Sequence, residues 1–393
     1  MDKTVIKNVK VITPVEIVEN GYVVVENGTI VEVGTNYIGA DAVDGKGRYL
    51  SPGFVDIHIH GGGGSDFMDG TVEAYKNITN AHVKHGTTSM FPTPLAASKD
   101  ELVRAIKVYK EAKKDDTIVC NLLGMHFEGP YVSKNQAGAL DPRYLKDPVK
   151  EEYEELVELS GEDLVRWSIA PELGGALEFG DYLKAHGVLP TIAHSDATYE
   201  EVTKAFEHGY THVTHLYSST STIVRKDGFR HAGIIESAYI IDDLDVEIIA
   251  DGCHLPPCLL KLVYKSKGID HVALTTDAMR AAGQNVKTSI LGSLEDGQEI
   301  IIEDGVAKMP DRTSFAGSIA TTDRLVRTMV KQVGVPLKDA VTMMTKTPIR
   351  IINKGYKKGE IAVGMDADII MFDDDINVSY VMVGGKTIID NNQ

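Results

Sequence analysis

Pro52-Gly53-Phe54-Val55-Asp56-Ile57-His58-Ile59-His60 runs directly into Gly61-Gly62-Gly63-Gly64. Side chains alternate along a β-strand, so Phe54, Asp56, His58 and His60 share one face while Val55, Ile57 and Ile59 take the other. The stretch reads as a buried strand whose C-terminal end carries two imidazoles on one side, able to grip a metal ion. Hydrogen bonding within a core explains such a pair equally well. The choice depends on what else in the chain converges on the same point. The four glycines after the strand read as backbone that approaches a ligand.

Seven further apolar runs follow, alternating with amphipathic stretches such as Ala176 to His186 and Thr198 to His208. They are Thr87 to Thr93, Ile118 to Glu128, Trp167 to Glu172, Val188 to His194, Thr211 to Leu216, Val246 to Asp251 and His271 to Asp277. Eight strand-plus-helix units in succession predict an α/β fold, a (β/α)8 TIM-type barrel, which takes about 250 residues. Beyond the eighth run, Ala282 to Thr313 reads as a hairpin insertion, with Asp304-Gly305 as its turn.

The ends of the chain differ in texture. Thr4 to Thr13, Tyr22 to Glu26 and Thr29 to Val33 are Val-rich runs punctuated by Asn27-Gly28, and Ala367 to Phe372, Tyr380 to Val383 and Lys386 to Ile389 are punctuated by Gly384-Gly385. Such patterns mark antiparallel hairpins. They predict a small β-sandwich domain built from residues 1–51 and 355–393, with the barrel spanning 52–354.

Composition sets outer bounds. In 393 residues, 43% apolar content suits one large core and one small one. The formal charge of −17, from 57 acidic and 40 basic residues, argues against partnership with nucleic acid or an anionic membrane. Cys120, Cys253 and Cys258 are too few and odd in number for a disulfide framework, and Cys253 to Cys258 is not a zinc-knuckle spacing. They read as reduced thiols. Met1-Asp2-Lys3-Thr4-Val5-Ile6 lacks the basic and apolar regions of a secretion signal, and no apolar run nears the roughly 20 residues of a membrane span. The expected compartment is the cytoplasm.

In barrels of this type chemistry sits at the C-terminal ends of the strands. The first run ends in His58 and His60, the third in Glu128, the fifth in His194 and the eighth in Asp277, while His215 lies at the end of the sixth. Five strands thus deliver acid/base or metal-ligand groups to one rim. Imidazoles and carboxylates suit Zn²⁺ foremost, with Fe, Co or Mn as alternatives. Six groups exceed the needs of one tetrahedral ion. Either two ions bind, bridged by Glu128, or one binds and the other groups serve the substrate. His212 is read as facing away from His215, His82, His85, His186 and His208 fall on helices, and His126 shares the face of Glu128 and stays open. Asp277 could instead cap a helix beginning at Ala278-Met279-Arg280.

These motifs resemble the amidohydrolase superfamily. Within it, Glu128-Gly129-Pro130, Ala193-His194-Ser195, Thr214-His215-Leu216-Tyr217, Ala250-Asp251-Gly252-Cys253-His254, Thr276-Asp277-Ala278 and Phe315-Ala316-Gly317-Ser318 resemble the N-acetylglucosamine-6-phosphate deacetylases over nearly the whole chain. The resemblance implies metal-dependent hydrolysis of the acetamide of N-acetylglucosamine 6-phosphate to glucosamine 6-phosphate and acetate, in a homodimer. It implies a principal ion on Glu128, His194 and His215, with His58 and His60 available to a second, and Glu128 where many two-metal relatives use a carboxylated lysine. Asp277 would take the proton of the attacking water and pass it to the departing amine. His254 and an arginine of the basic loop, Arg225 or Arg230, would contact phosphate. Phe315, Ala316, Gly317 and Ser318 would close over the sugar, and Ala139, Ser218 and Ser219 would touch substrate.

The sequence also departs from that family. Ser218-Ser219 replaces a common Asn-Ala, and Leu140 stands where His or Gln is frequent. A leucine cannot donate to a sugar hydroxyl, so the epimeric N-acetylgalactosamine 6-phosphate is a second candidate substrate. Other readings are an amidohydrolase acting on a cyclic amide, an N-acyl amino acid or a dipeptide, and a scaffold that kept the barrel without the chemistry. The basic cluster Arg225, Lys226, Arg230 and His231 reads equally as a solvated loop.

Overall fold

Eight strands and eight helices alternate through the middle of the chain in the computed structural model, which describes residues 3–391. Met1 and Asp2, which open the N-terminal stretch read above, lie outside the described residues. The strands are β1 (Phe54–Ile59), β2 (Thr87–Pro92), β3 (Asn121–Leu122 and Met125–Glu128), β4 (Leu164–Ile169), β5 (Leu189–Ile192), β6 (His212–Val213), β7 (Asp245–Ile249) and β8 (Val272–Thr275). Between them run α1 (Val72–Val83), α2 (Lys99–Ala112), α3 (Lys150–Ser160), α4 (Ala176–Ala185), α5 (Tyr199–Glu207), α6 (Ile234–Ile240) and α7 (Pro257–Lys267), and α8 (Thr322–Thr328) follows β8. Neighbouring strands pair in parallel and in chain order, the first segment of β3 on β2 and the second on β4. The predicted (β/α)8 barrel is therefore present.

Alternation along β4 shows how the layers form. Trp167 points outward, its ring centroid 4.9 Å from Phe127 and 5.0 Å from Phe179 of α4, and its indole N–H donates to the Gly129 carbonyl at 2.9 Å. Arg166 and Ser168 point inward. Inside the barrel Arg166 donates to Thr214 Oγ1 at 2.8 Å and to the Ile57 carbonyl at 3.2 Å. The interior is thus a hydrogen-bonded polar layer, while apolar burial lies between sheet and helices. The helices start where their sequences say they should: Thr198 and Glu201 form a reciprocal capping box at the start of α5, as Ser98 and Glu101 do for α2.

Two boundaries differ from expectation. The third run is broken at Gly124, where a Cβ would lie 2.6 Å from Val165 Cγ1, so backbone rather than side chain meets β4 there. The fourth strand begins at Leu164, three residues before Trp167, and so takes Arg166 into the barrel. The insertion after β8 is a three-stranded meander, Thr288–Leu291, Gln298–Glu303 and Val306–Lys308. Arg280 anchors it, donating to the carbonyls of Gly292 and Gly64 and to the carboxylate of Asp69.

The expectation for Gly61 to Gly64 needs correction. Here backbone approaches the protein itself: a Cβ on Gly61 would sit 2.3 Å from the Ser65 carbonyl oxygen, and one on Gly62 would sit 2.4 Å from His82 Nε2. Close chain packing requires these glycines.

Strands from both termini form one eight-stranded sheet, in which Lys3–Ile12 lies between Ile17–Glu26 and Tyr49–Pro52, and Ile369–Phe372, Val378–Val383 and Lys386–Asp390 extend the far side. The sheet curls until its turns meet, with Gly28 against Gly384 and Gly385. Its two halves enclose a common core that includes Val23, Val25, Ile30, Ile369, Tyr380 and Met382. Among the described residues no helix is long and apolar enough to cross a membrane.

The barrel closes between β1 and β8, where the strands share no ladder beyond the bridge of Ile59 to Ala278. Asp56 supplies the missing pairing. Its buried carboxylate accepts from Thr276 Oγ1 at 2.5 Å, Thr275 Oγ1 at 3.1 Å and the backbone N–H groups of Thr276 and His58 at 3.2 and 3.4 Å. Burial nevertheless pushes its pKa up to about 6, against the donors that favour the anion. Between about pH 4 and pH 6 the folded protein holds a proton that the unfolded chain releases, so this group's contribution falls by roughly 3 kcal/mol as pH rises through that window. Urea melts of wild type and Asp56→Asn should show the wild type relatively more stable at pH 5 than at pH 7. A pH-independent difference contradicts this account.

Candidate active site

His58 and His60 leave the end of β1 and Glu128 the end of β3, whereas three other groups sit two residues beyond their strands. His194 follows Ile192, His215 follows Val213 and Asp277 follows Thr275, each in left-handed backbone with φ of 45°, 30° and 47°. Such a conformation costs a non-glycine residue about 1–3 kcal/mol and persists only where the surroundings enforce it. The enforcement is visible. The His194 carbonyl accepts from Ser133 N–H at 2.9 Å, His215 N–H donates to Glu247 Oε1 at 3.2 Å, and Asp277 N–H donates to the His58 carbonyl at 3.0 Å. Ser318 N–H donates to the Asp277 carbonyl at 2.7 Å.

The six side chains form two groups of three, His58, His60 and Asp277 beside Glu128, His194 and His215. In the second, Glu128 Oε1 is 3.1 Å from His194 Nε2 and 3.0 Å from His215 Nε2, and the two nitrogens are 3.2 Å apart. In the first, His60 Nε2 is 2.9 Å from Asp277 Oδ1 and 3.2 Å from His58 Nε2. Glu128 faces both, its other oxygen lying 3.2 Å from His60 Nε2. Two donors, each about 2.0–2.1 Å from one tetrahedral Zn²⁺, would lie about 3.3 Å apart. The spacing fits a divalent ion.

Tautomers point the same way. His58 Nδ1 faces Glu247 Oε1 at 2.7 Å, His60 Nδ1 the Thr93 carbonyl at 2.8 Å and His194 Nδ1 the Gln136 carbonyl at 2.8 Å. Each acceptor places the ring proton on Nδ1 and leaves the Nε2 lone pair turned inward. Lone pairs facing one another at 3.2 Å repel unless a cation lies among them. The titration of the cluster expresses this demand. Burial works against an imidazolium at His58 and His60, yet Glu128, Asp277 and, for His58, Glu247 overcome it, raising His58 to about 9 and His60 well above its ordinary value. Burial likewise disfavours the Glu128 and Asp277 anions, but the histidines hold both carboxyls below their usual range.

The groups open onto a cavity of about 280 Å³. Of the substrate contacts expected from sequence, Ala139, Ser218, Ser219, His254, Phe315 and Gly317 line it. His254 is held at Nδ1 by Asp251 Oδ2 at 2.9 Å and packs against Phe315, leaving Nε2 for a ligand. Ala316 is buried away from the cavity, and Ser318 spends its hydroxyl on the Thr276 carbonyl at 2.5 Å. Arg225 and Arg230 pair across an exposed hairpin, Val224–Lys226 with Phe229–His231, and do not reach the cavity. No helix begins at Ala278, so Asp277 is not a cap. His126, left open by the sequence, is 2.7 Å from Ser168 Oγ, and burial pushes its pKa well down, leaving a neutral ring beneath His58.

Sequence reasoning missed Glu247 and Arg166, whose 2.6 Å ion pair underlies the site, and the wall residues Leu95 and Leu291. A charged residue inside an otherwise apolar strand was the available signal for the first two.

The sequence model of the Amidohydrolase family matches residues 49–388. N-acetylglucosamine-6-phosphate deacetylase of Lysinibacillus sphaericus is 32% identical over 90% of this chain and 89% of its own. N-acetylgalactosamine-6-phosphate deacetylase of Shewanella sp. is 31% identical over 96% and 94%. Among solved structures, an aspartate-to-alanine mutant of the Mycobacterium smegmatis N-acetyl-D-glucosamine-6-phosphate deacetylase, in complex with N-acetyl-D-glucosamine-6-phosphate, superposes with a TM-score of 0.91 at 28% identity, covering 99% of this chain and 100% of that one. This chain belongs to the amidohydrolase family, alongside the N-acetylglucosamine-6-phosphate deacetylases.

Proposed function

We propose that this protein hydrolyses the acetamide of N-acetylglucosamine 6-phosphate to glucosamine 6-phosphate and acetate. One observation carries the reading: two ligand triads, one of them containing Glu128 and the other facing it, lie at the base of a cavity whose wall presents His254. Glu128, His194 and His215 would hold one divalent ion, and His58, His60 and Asp277 surround the place for a second. Nitrogen and carboxylate donors at these separations favour Zn²⁺, with Fe, Co and Mn as alternatives. Such an ion lowers the pKa of water and polarises an amide carbonyl.

The chain's own groups do the rest. Asp277 is an anion held by His60, so it can accept a proton as water attacks the acetyl carbon. As the C–N bond breaks, the same carboxyl returns that proton to the amine nitrogen. Leu95, Leu140, Leu291 and Phe315 shield the reacting centre from bulk water, which strengthens every charge interaction within it. His254, with Nδ1 held by Asp251 and Nε2 turned to the cavity, is the side chain placed for the phosphate. The barrel of 52–354 would carry this chemistry, with 1–51 and 355–393 as its companion domain.

A homodimer is proposed on the exposed apolar side chains of the hairpin, Phe229 at 73%, Ile223 at 55% and Val224 at 54% exposure. A cytoplasmic setting suits the three free thiols.

The second reading, N-acetylgalactosamine 6-phosphate, rests on Leu140, Ser218 and Ser219 in the wall and on the Shewanella relative. A leucine and two serines at these positions discriminate an epimeric hydroxyl by only about 10²-fold. Comparing kcat/KM for the two sugar phosphates should give a ratio inside that bound, and a ratio near 10⁴ or above means that an unrecognised donor reads this hydroxyl. The unphosphorylated sugar should be a far poorer substrate; equal rates reject the phosphate-specific reading in favour of another amide.

Acetate release should fall by about 10²–10⁴-fold in Asp277→Asn, and full activity there removes the proposed proton transfer. In the double variant His58→Ala/His60→Ala, the metal-to-protein ratio measured by mass spectrometry should drop without reaching zero. An unchanged ratio would place every ion on Glu128, His194 and His215.

A further inference from the structure

Glu247 lies in the middle of β7, fully buried, and touches neither the cavity nor either triad's inner face. Even so, one of its oxygens serves both triads. Oε1 accepts from the His58 ring at Nδ1, 2.7 Å away, and from the backbone N–H of His215 at 3.2 Å. Its other oxygen is paired with Arg166 Nη1 at 2.6 Å. Arg166 in turn is fixed to β1 through the Ile57 carbonyl and to the β6 end through Thr214. Neither carboxylate nor guanidinium reaches solvent.

We propose that Glu247, clamped by Arg166, is a positioning residue that couples the two ligand groups, holding the His58 proton on Nδ1 and the His215 backbone in its left-handed turn through a single oxygen. The inference rests on the metal-dependent reading above. A neutral imidazole can carry its proton on either nitrogen, and only the Nδ1 form aims a lone pair at His60, Glu128 and Asp277. A carboxylate at 2.7 Å selects that form and makes the ring a stronger donor at Nε2. The contact to His215 matters differently. Its φ of 30° is unfavourable, and the hydrogen bond from its N–H keeps the ring over Glu128. Shifting one carboxylate therefore disturbs a ligand of each triad.

A purely structural ion pair would affect stability alone, so the test reads the ions. Full-length wild type, Glu247→Gln and Glu247→Asp are loaded with Co²⁺. Stoichiometry is measured by mass spectrometry, affinity by chelator competition and ligand geometry by d–d absorption. Glu247→Gln should bind Co²⁺ about 10–100-fold more weakly and with an altered spectrum, while Glu247→Asp, which keeps the charge, recovers part of the affinity. A folded Glu247→Gln with affinity within about threefold of wild type and a superimposable spectrum overturns the proposal. If the variants do not fold, ¹⁵N-histidine NMR of the Zn²⁺-loaded wild type decides, because His58 must carry its proton on Nδ1. A proton on Nε2 overturns the proposal. Wild type that takes up no Co²⁺ at all overturns the metal reading first, and this inference with it.

Discussion

Burying three carboxylates in one cluster is the constraint on which the rest of the structure depends. Glu128, Asp277 and Glu247 are all withdrawn from water at or beneath the mouth of the barrel. An unpaired charge so placed costs roughly several kcal/mol, so each needs a positive partner fixed in position. Arg166 answers Glu247 directly. The other two are answered by imidazoles that draw in protons, a task that a divalent ion held among the same Nε2 atoms could perform with a larger charge. Stability and chemistry thus share one requirement. The field that suits a metal also keeps Asp277 ionised, the state that the proposed proton transfer requires.

Delivering these groups to one point is a backbone problem. Ligands at strand ends would radiate along the barrel wall if the chain simply continued as strand. Left-handed turns at His194, His215 and Asp277 redirect it, and three different kinds of partner hold them. A carbonyl on His58 holds Asp277, a buried carboxylate holds His215, and the loop at Ser133 holds His194. That loop is itself tied down by Asp196, which accepts from Ser133, Asn135 and Gln136, while Glu172 accepts from Ser195 and from the Asp196 backbone. Strain at the site is therefore borne by hydrogen bonds one layer out, and they allow the site little freedom to relax.

What could be read from the sequence follows from the same physics. A polar residue that closes an apolar run stands out, so the six inner groups and the eight runs were legible. Charges in mid-strand were not. Arg166 and Glu247 occupy alternating positions that look like solvent-facing ones until the sheet closes into a barrel and turns that face inward. Ser318 sat in a legible motif, but a sequence cannot say that its hydroxyl is committed to a carbonyl. The cationic cluster of Arg225 and Arg230 was equally visible as composition, yet its distance from the cavity depends on the path of a hairpin. Gly61 to Gly64 marked a close approach correctly and its partner wrongly, because glycine reports only that space is short.

Net charge illustrates the difference between what a chain's composition and a site's geometry can decide. A net charge of −17 opposes the approach of an anionic sugar phosphate. Surface charges, however, are screened beyond about 8 Å at physiological ionic strength, so most of that total is not felt inside the cavity. There the local balance rules. The carboxylates lining the floor are already matched by imidazoles and by the place for an ion, and His254 stands apart from both triads with Asp251 behind it. Burial disfavours the Asp251 anion, but His254 and nearby backbone N–H groups outweigh that and hold its carboxyl low. An anion bound at Nε2 would extend a hydrogen-bonded chain that begins at Asp251. On the proposed reading, recognition of the phosphate end would fall to Asp251 and His254, and low-dielectric walls would confine it within a chain of strongly negative total charge.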